Sequence, residues 1–133
     1  MCNTEIKQVS SLKFLGIIID NKLKWTDHIN VLCNVLSKII GVMYKLKSFT
    51  KCILKMIYNS LILPFLYYGI LAWGNAYEIH VMKVILLQKR AIRIICHTSY
   101  LAHTHPLFKE IKILNFNDMY NYQCAIFLFT SRL

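Results

Sequence analysis

From Met56 to Tyr77 the chain carries no charged side chain. A bilayer is spanned by about 20 apolar residues, so a run of this length either crosses a membrane or is covered by protein. Several residues argue for the second outcome. Asn59, Ser60, Gly69 and Asn75 dilute the run, and Pro64 lies inside it. Proline removes one backbone donor and crowds the preceding turn, so a helix here is expected to kink or divide. The flanking cations are also balanced: Lys45, Lys47, Lys51 and Lys55 precede the run, and Lys83, Lys89, Arg90 and Arg93 follow it. A signal anchor has lopsided flanks. The expectation is a divided helix inside a protein core, with a single membrane helix near residues 56–77 as the alternative.

The rest of the chain supports a mainly α fold, with a short N-terminal β-hairpin followed by a bundle of about four to five helices. Residues 5–19 read as β. Leu12, Phe14, Gly16 and Ile18 alternate with Lys13, Leu15, Ile17 and Ile19, and a strand apolar on both faces is expected between two layers. Asp20-Asn21 supplies turn chemistry. After Trp25 the period changes to 3.6. Ile29, Leu32, Leu36, Ile39, Ile40, Met43 and Leu46 trace one helical stripe, with Thr26 as its expected N-cap. Thr50 is expected to cap the helix that enters the uncharged run. A further helix covers roughly Ile79 to Cys96, a short one uses Leu107, Ile111 and Leu114, and a last one starts near Asn117. One mainly helical unit results, with a hairpin and turn over 5–25 and a helical region over 26–129.

Charge narrows the function classes. Sixteen Lys and Arg stand against six Asp and Glu, a net charge of +10, which favours a polyanionic partner. On the helix over 79–96, steps of about 100° per residue place Lys83, Lys89, Arg90, Arg93 and His97 within an arc of roughly 120°. Val81, Val84, Ile85, Ile92 and Ile95 take the opposite side. Such a stripe can follow a phosphate backbone, and a plain solvated face has the same pattern. Tyr67, Tyr68, Trp73 and Tyr77 are read as core aromatics before stacking platforms.

Catalytic chemistry is not expected. Two-metal phosphoryl transfer needs carboxylates close enough to share two cations, and Asp20, Asp27 and Asp118 are scattered singly. Cys96, His97, His103 and His105 match no zinc spacing. The five cysteines, Cys2, Cys33, Cys52, Cys96 and Cys124, include no C-x-x-C pair, so reduced thiols and an intracellular, cytoplasmic or nuclear setting are expected. No metal, cofactor or catalytic residue is assigned.

The order of segments resembles the non-LTR retrotransposon reverse transcriptases, their Jockey-like branch above all. Four stretches carry the resemblance. Lys13-Phe14-Leu15-Gly16-Ile17-Ile18-Ile19-Asp20 leads to Leu23-Lys24-Trp25 and His28-Ile29. Ile57 to Pro64 leads to Tyr68-Gly69 and Trp73-Gly74. Leu87-Gln88-Lys89-Arg90-Ala91-Ile92-Arg93 follows, and then His103-Thr104-His105-Pro106-Leu107-Phe108. The resemblance covers about residues 5–129. One departure is Lys51, where the family usually has proline after the threonine.

That resemblance implies a primer-grip hairpin leading into a helical thumb that holds template–primer against the palm. Phe14, Leu15 and Gly16 would take the grip positions. Lys89, Arg90 and Arg93 would face the backbone of RNA–DNA or duplex DNA. Fingers, palm and the aspartate pair have no counterpart in these residues, so the expectation is a truncated, non-catalytic fragment. Its partners would be nucleic acid and an intact polymerase palm, and the alternative is a retroelement remnant without function.

Overall fold

The computed structural model describes residues 4–132; Cys2 lies outside them. Two strands, β1 (Ser11–Phe14) and β2 (Ile17–Asp20), pair antiparallel with Phe14 opposite Ile17 and Ser11 opposite Asp20. The helices are α1 (Thr26–Lys45), α2 (Lys51–Ile57), α3 (Leu63–Tyr67), α4 (Ile70–Trp73), α5 (Glu78–Ile95), α6 (His105–Glu110) and α7 (Phe116–Ser131). A π-helical turn, Tyr58–Ile62, joins α2 to α3. With α2, the π turn and α3 counted as one rod, the fold is the expected hairpin and bundle. The single turn of α4 is an addition.

The uncharged run is spent on the protein's own core. Leu54, Tyr58, Ile62, Leu66 and Ile70 are buried, and Trp73 is fully enclosed. The first five recur every fourth residue, which in an ideal α-helix drifts about 40° per step away from a common face. The wider π turn counters that drift. It also answers Pro64, whose missing donor would break the α ladder; the N–H of Leu63 instead reaches back five residues to the Tyr58 carbonyl. Among the described residues no helix is long and apolar enough to cross a membrane.

The hairpin departs from the expected strand. The run Leu12–Ile19 is cut in half by a tight turn at Leu15-Gly16, where φ is +49° and +84°. Two positive φ values in a two-residue loop match the hand of strand twist, and glycine suits the second. The hairpin is not sandwiched between layers. Leu12, Phe14 and Leu15 are exposed, while β2 is half-buried against the start of α1.

Its docking is specific. Tyr68 donates its hydroxyl hydrogen to the Leu15 carbonyl. Gly69, at φ +66°, lies so close to Ile17 that a Cβ would sit 2.3 Å from its Cδ1. Asp20 accepts from the N–H groups of Lys24 and Trp25 at 2.8 and 3.3 Å, closing the turn into α1. Two expected caps move. Thr26 makes no cap bond and pairs with His80 instead. Asn115, not Asn117, caps α7 by accepting from Asp118 N–H at 3.0 Å. Thr50 caps α2 as expected.

Gln88 ties these pieces together. It is buried in the middle of α5. Its amide nitrogen donates to Tyr58 Oη at 2.9 Å and to the Leu114 carbonyl at 3.0 Å. Its amide oxygen accepts from Phe116 N–H at 2.9 Å. The second link orients the first, because only the oxygen can face an N–H donor. Burial pushes the Tyr58 phenol up to about 12, only partly offset by the Gln88 hydrogen bond, so it stays protonated at neutral pH. Gln88→Leu strands the Tyr58 hydroxyl, the Leu114 carbonyl and the Phe116 N–H beside an apolar side chain, and each is worth about 1–3 kcal/mol when left unmade. A loss of about 3 kcal/mol or more in urea unfolding is expected, against about 1 kcal/mol for Tyr58→Phe. Equal, small losses would contradict the role given to Gln88.

Candidate nucleic-acid interface

Helix α1 lies along α5 in the same direction. Thr26 meets His80 at their starts. Cys33 lines a depression with Lys83 and Leu87 midway, and Tyr44 and Lys47 line another with Arg93 and His97 near their ends. The buried stripes explain the pairing: Ile29, Leu32, Leu36, Ile40 and Met43 on α1 face a core shared with Val81, Val84, Ala91, Ile92 and Ile95 on α5.

This arrangement sorts the basic residues. A depression of about 560 Å³ is lined by Tyr44, Lys47, Arg90, Arg93, Ile94, His97, Thr98 and Tyr100. A second, of about 420 Å³, is lined by Cys33, Lys83, Leu86, Leu87, Arg90, Arg93 and Tyr100. Lys83, Arg90 and Arg93 therefore stand together. Lys89 does not join them. It lines a separate groove on the other edge of α5 with Met82, His105 and Phe108. The arc on the helical wheel was wide enough to straddle the exposed ridge of α5, and its two edges face different neighbours.

The electrostatics of the cluster are one-sided. Among the described residues the single ion pair joins Lys51 to Glu110 at 2.7 Å, so no described carboxylate neutralises Lys83, Arg90 or Arg93. Neither depression has an acidic lining residue. Arg93 is held in place, since its Nε donates to the Ala102 carbonyl at 2.9 Å. That bond folds the segment after α5 back onto the helix and uses only Nε, so the two terminal nitrogens of the guanidinium make no hydrogen bond within the described residues.

The end of α5 is strained in a defined way. His97 has φ +53°, with His97 N–H on the Ile94 carbonyl and Thr98 N–H on the Arg93 carbonyl. This is the helix-ending arrangement in which glycine usually takes the left-handed position. Histidine there costs about 1 kcal/mol, and its ring borders the larger depression.

Sequence reasoning missed Lys47, Tyr44 and Tyr100. Lys47 sits over the Tyr44 ring, 4.3 Å from its centre. Tyr100 stands in an irregular segment with no period to mark it, and it is 78% exposed. The aromatics singled out earlier are mostly committed elsewhere. Trp73 is enclosed, its ring N–H donating to the Tyr68 carbonyl at 2.9 Å and its face near His28 and Phe116. Tyr68 holds the hairpin.

Phe14, Leu15 and Gly16 form the hairpin tip. Phe14 and Leu15 point outward, and Gly16 rests on the Tyr68 ring, where a Cβ would lie 3.5 Å from it. The hairpin meets the start of α1, whereas the basic cluster extends along α5 from Lys83, one turn past His80, to Arg93. Neither depression is lined by Phe14, Leu15 or Gly16, so the tip and the cluster are two sites.

The three aspartates are also apart and occupied locally. Asp20 closes the turn after β2, Asp27 sits in the first turn of α1, and Asp118 belongs to the α7 cap. Among the described residues no group of three His, Cys, Asp or Glu stands close enough to hold a metal ion. Cys33, Cys52, Cys96 and Cys124 are free thiols, and burial pushes the Cys33 and Cys96 thiols up, away from the reactive anion.

The hairpin's second anchor makes a pH prediction. Ile18 N–H donates to His28 Nδ1 at 3.4 Å, and burial lowers the His28 pKa below its ordinary 6.5. Between the folded value and about 6.5 the unfolded chain binds more protons, so stability is complete above that window and falls as the pH drops through it. Urea midpoints measured from pH 7.5 to 5 should decline, and His28→Gln should flatten part of the decline. An unchanged slope in that variant would remove His28 as the anchor.

Three curated proteins are similar in sequence to this chain. The RNA-directed DNA polymerase from mobile element jockey of Drosophila melanogaster is 27% identical over 117 residues, covering 85% of this chain and 13% of its own length. The probable RNA-directed DNA polymerase from transposon X-element of the same fly is 23% identical over 120 residues, 87% of this chain and 13% of its own. The jockey polymerase of Drosophila funebris is 27% identical over 110 residues, 80% of this chain and 12% of its own. The chain thus spans about an eighth of the length of these relatives, and the resemblance read from its motifs is borne out. No protein-family model and no solved structure matches the chain.

Proposed function

From a chain related in sequence to the RNA-directed DNA polymerases of jockey-type mobile elements, we propose that this region is a thumb-like holder of nucleic acid that performs no polymer chemistry itself. The observation that carries the reading is the cluster of Lys83, Arg90, Arg93 and Lys47 around two joined depressions without an acidic neighbour. Three or four cations at that density displace condensed counterions from a phosphate backbone, which gives sequence-tolerant affinity. The scattered aspartates support the non-catalytic half of the reading, because two-metal chemistry needs carboxylates that converge.

The hairpin tip has a different part in this reading. Exposed Phe14 and Leu15 form the apolar face offered to a polymerase palm, in the manner that the resemblance implies for a primer grip. The outer turns of α7 are apolar as well: Ile126, Phe127, Leu128 and Phe129 are all exposed. Surfaces of this kind are used for contacts between domains.

Fluorescence anisotropy with labelled RNA–DNA and DNA duplexes tests the holder. Affinity should fall steeply between 50 and 200 mM salt, and it should depend little on sequence. Changing Lys83, Arg90 and Arg93 together to glutamine should weaken binding at least about tenfold and flatten the salt slope by roughly two to three. Lys89→Gln should change affinity less than about threefold, because Lys89 borders another groove. Salt-independent binding, or a triple variant that binds like the parent, would overturn the reading.

A further inference from the structure

We propose that the paired depressions beside the end of α5 take a single strand of nucleic acid, one nucleotide in each, with a base stacked on Tyr100. This rests on the nucleic-acid reading above and narrows it, since duplex and single strand both supply phosphates but only an unpaired strand can offer base faces.

Three observations point the same way. Arg90, Arg93 and Tyr100 border both depressions, so they form a shared wall between the two. Both depressions are open on one side, and volumes of about 560 and 420 Å³ leave room for one base in each. A duplex can lay its phosphates along the cluster, but its bases stay paired and stacked and offer no free face to either hollow. Finally, Tyr100 is 78% exposed and does not pack into the core. A large aromatic face held open beside two guanidinium groups is the arrangement that stacking platforms use.

Each residue then has a distinct job. Arg93, fixed by the Ala102 carbonyl, keeps the segment carrying Tyr100 against α5 and presents its guanidinium to a phosphate between the two bases. Lys83 and Lys47 lie in opposite hollows and receive the phosphates on either side. Tyr44 lines the larger hollow. Lys47 covers its ring in the free protein, and on binding Lys47 would swing to phosphate. His97 borders the larger hollow only.

The test compares affinities of the full chain for four labelled probes at low salt. These are a single-stranded 12-mer of RNA, one of DNA, the DNA 12-mer with abasic sites throughout, and a blunt DNA duplex of equal length. The base-bearing single strands should bind about tenfold tighter than both the abasic strand and the duplex, because stacking contributes about 1–3 kcal/mol per base. Tyr100→Ala should lose that preference, and Tyr100→Phe should keep it. Abasic and base-bearing strands of equal affinity, or a Tyr100→Ala variant that keeps the preference, would overturn the single-strand assignment while leaving the holder intact. Failure of all four probes to bind would overturn both.

Discussion

The packing of this protein turns on one side-chain amide. Gln88 sits on α5 where the π turn and the segment entering α7 meet it, and it binds the Tyr58 phenol of the first and the Leu114 carbonyl and Phe116 N–H of the second. A buried amide left without partners is expensive, so each of those segments is confined to the one position that satisfies it. Hydrophobic contacts alone would allow α5 to slide or rotate against its neighbours at little expense. With Gln88 in place the rotation of α5 about its own axis is set, and with it the direction in which Lys83, Arg90 and Arg93 project.

That rotation gives α5 two functionally unlike edges. One edge lies beside α1 and gathers four cations and two tyrosines; the other faces α6 and the start of α7 and has Lys89 as its single lysine or arginine. The parallel course of α1 adds to the asymmetry. It delivers Tyr44 and Lys47 to the same end of the pair as Arg93 and His97, so the positive charge runs from Lys83 along α5 to where both helices finish. Lysine and arginine there also oppose the partial negative charge of the two helix ends, which stabilises the cluster against its own repulsion.

The hairpin belongs to the helical body through polar and conformational ties more than through buried area. Tyr68, Gly69 and His28 hold its backbone, while Leu12, Phe14 and Leu15 face outward. Tyr68 and Gly69 lie at the break between α3 and α4, so the interruption of the uncharged run is also the socket for the hairpin. The glycine is needed there twice over. Its backbone is left-handed, and Ile17 occupies the space a side chain would take.

Residue pattern by itself determined the fold class, the extents of α1 and α5, the burial of the uncharged run, the break near Pro64 and the relation to jockey-type polymerases. These depend on period, composition and segment order, which are local along the chain. The division of Leu12–Ile19 into a hairpin at Leu15-Gly16 escaped notice because an eight-residue apolar alternation looks the same whether or not it folds back. The π turn was equally hidden, since it answers a four-residue repeat whose meaning appears only once a common core has to be reached. Tertiary structure alone decided that Lys89 parts from Arg90 and Arg93, and that Tyr44, Lys47 and Tyr100 join them. The physical reason is that a helical wheel gives angles around one axis, whereas a site is made by whichever neighbours the packing brings to each edge of that helix.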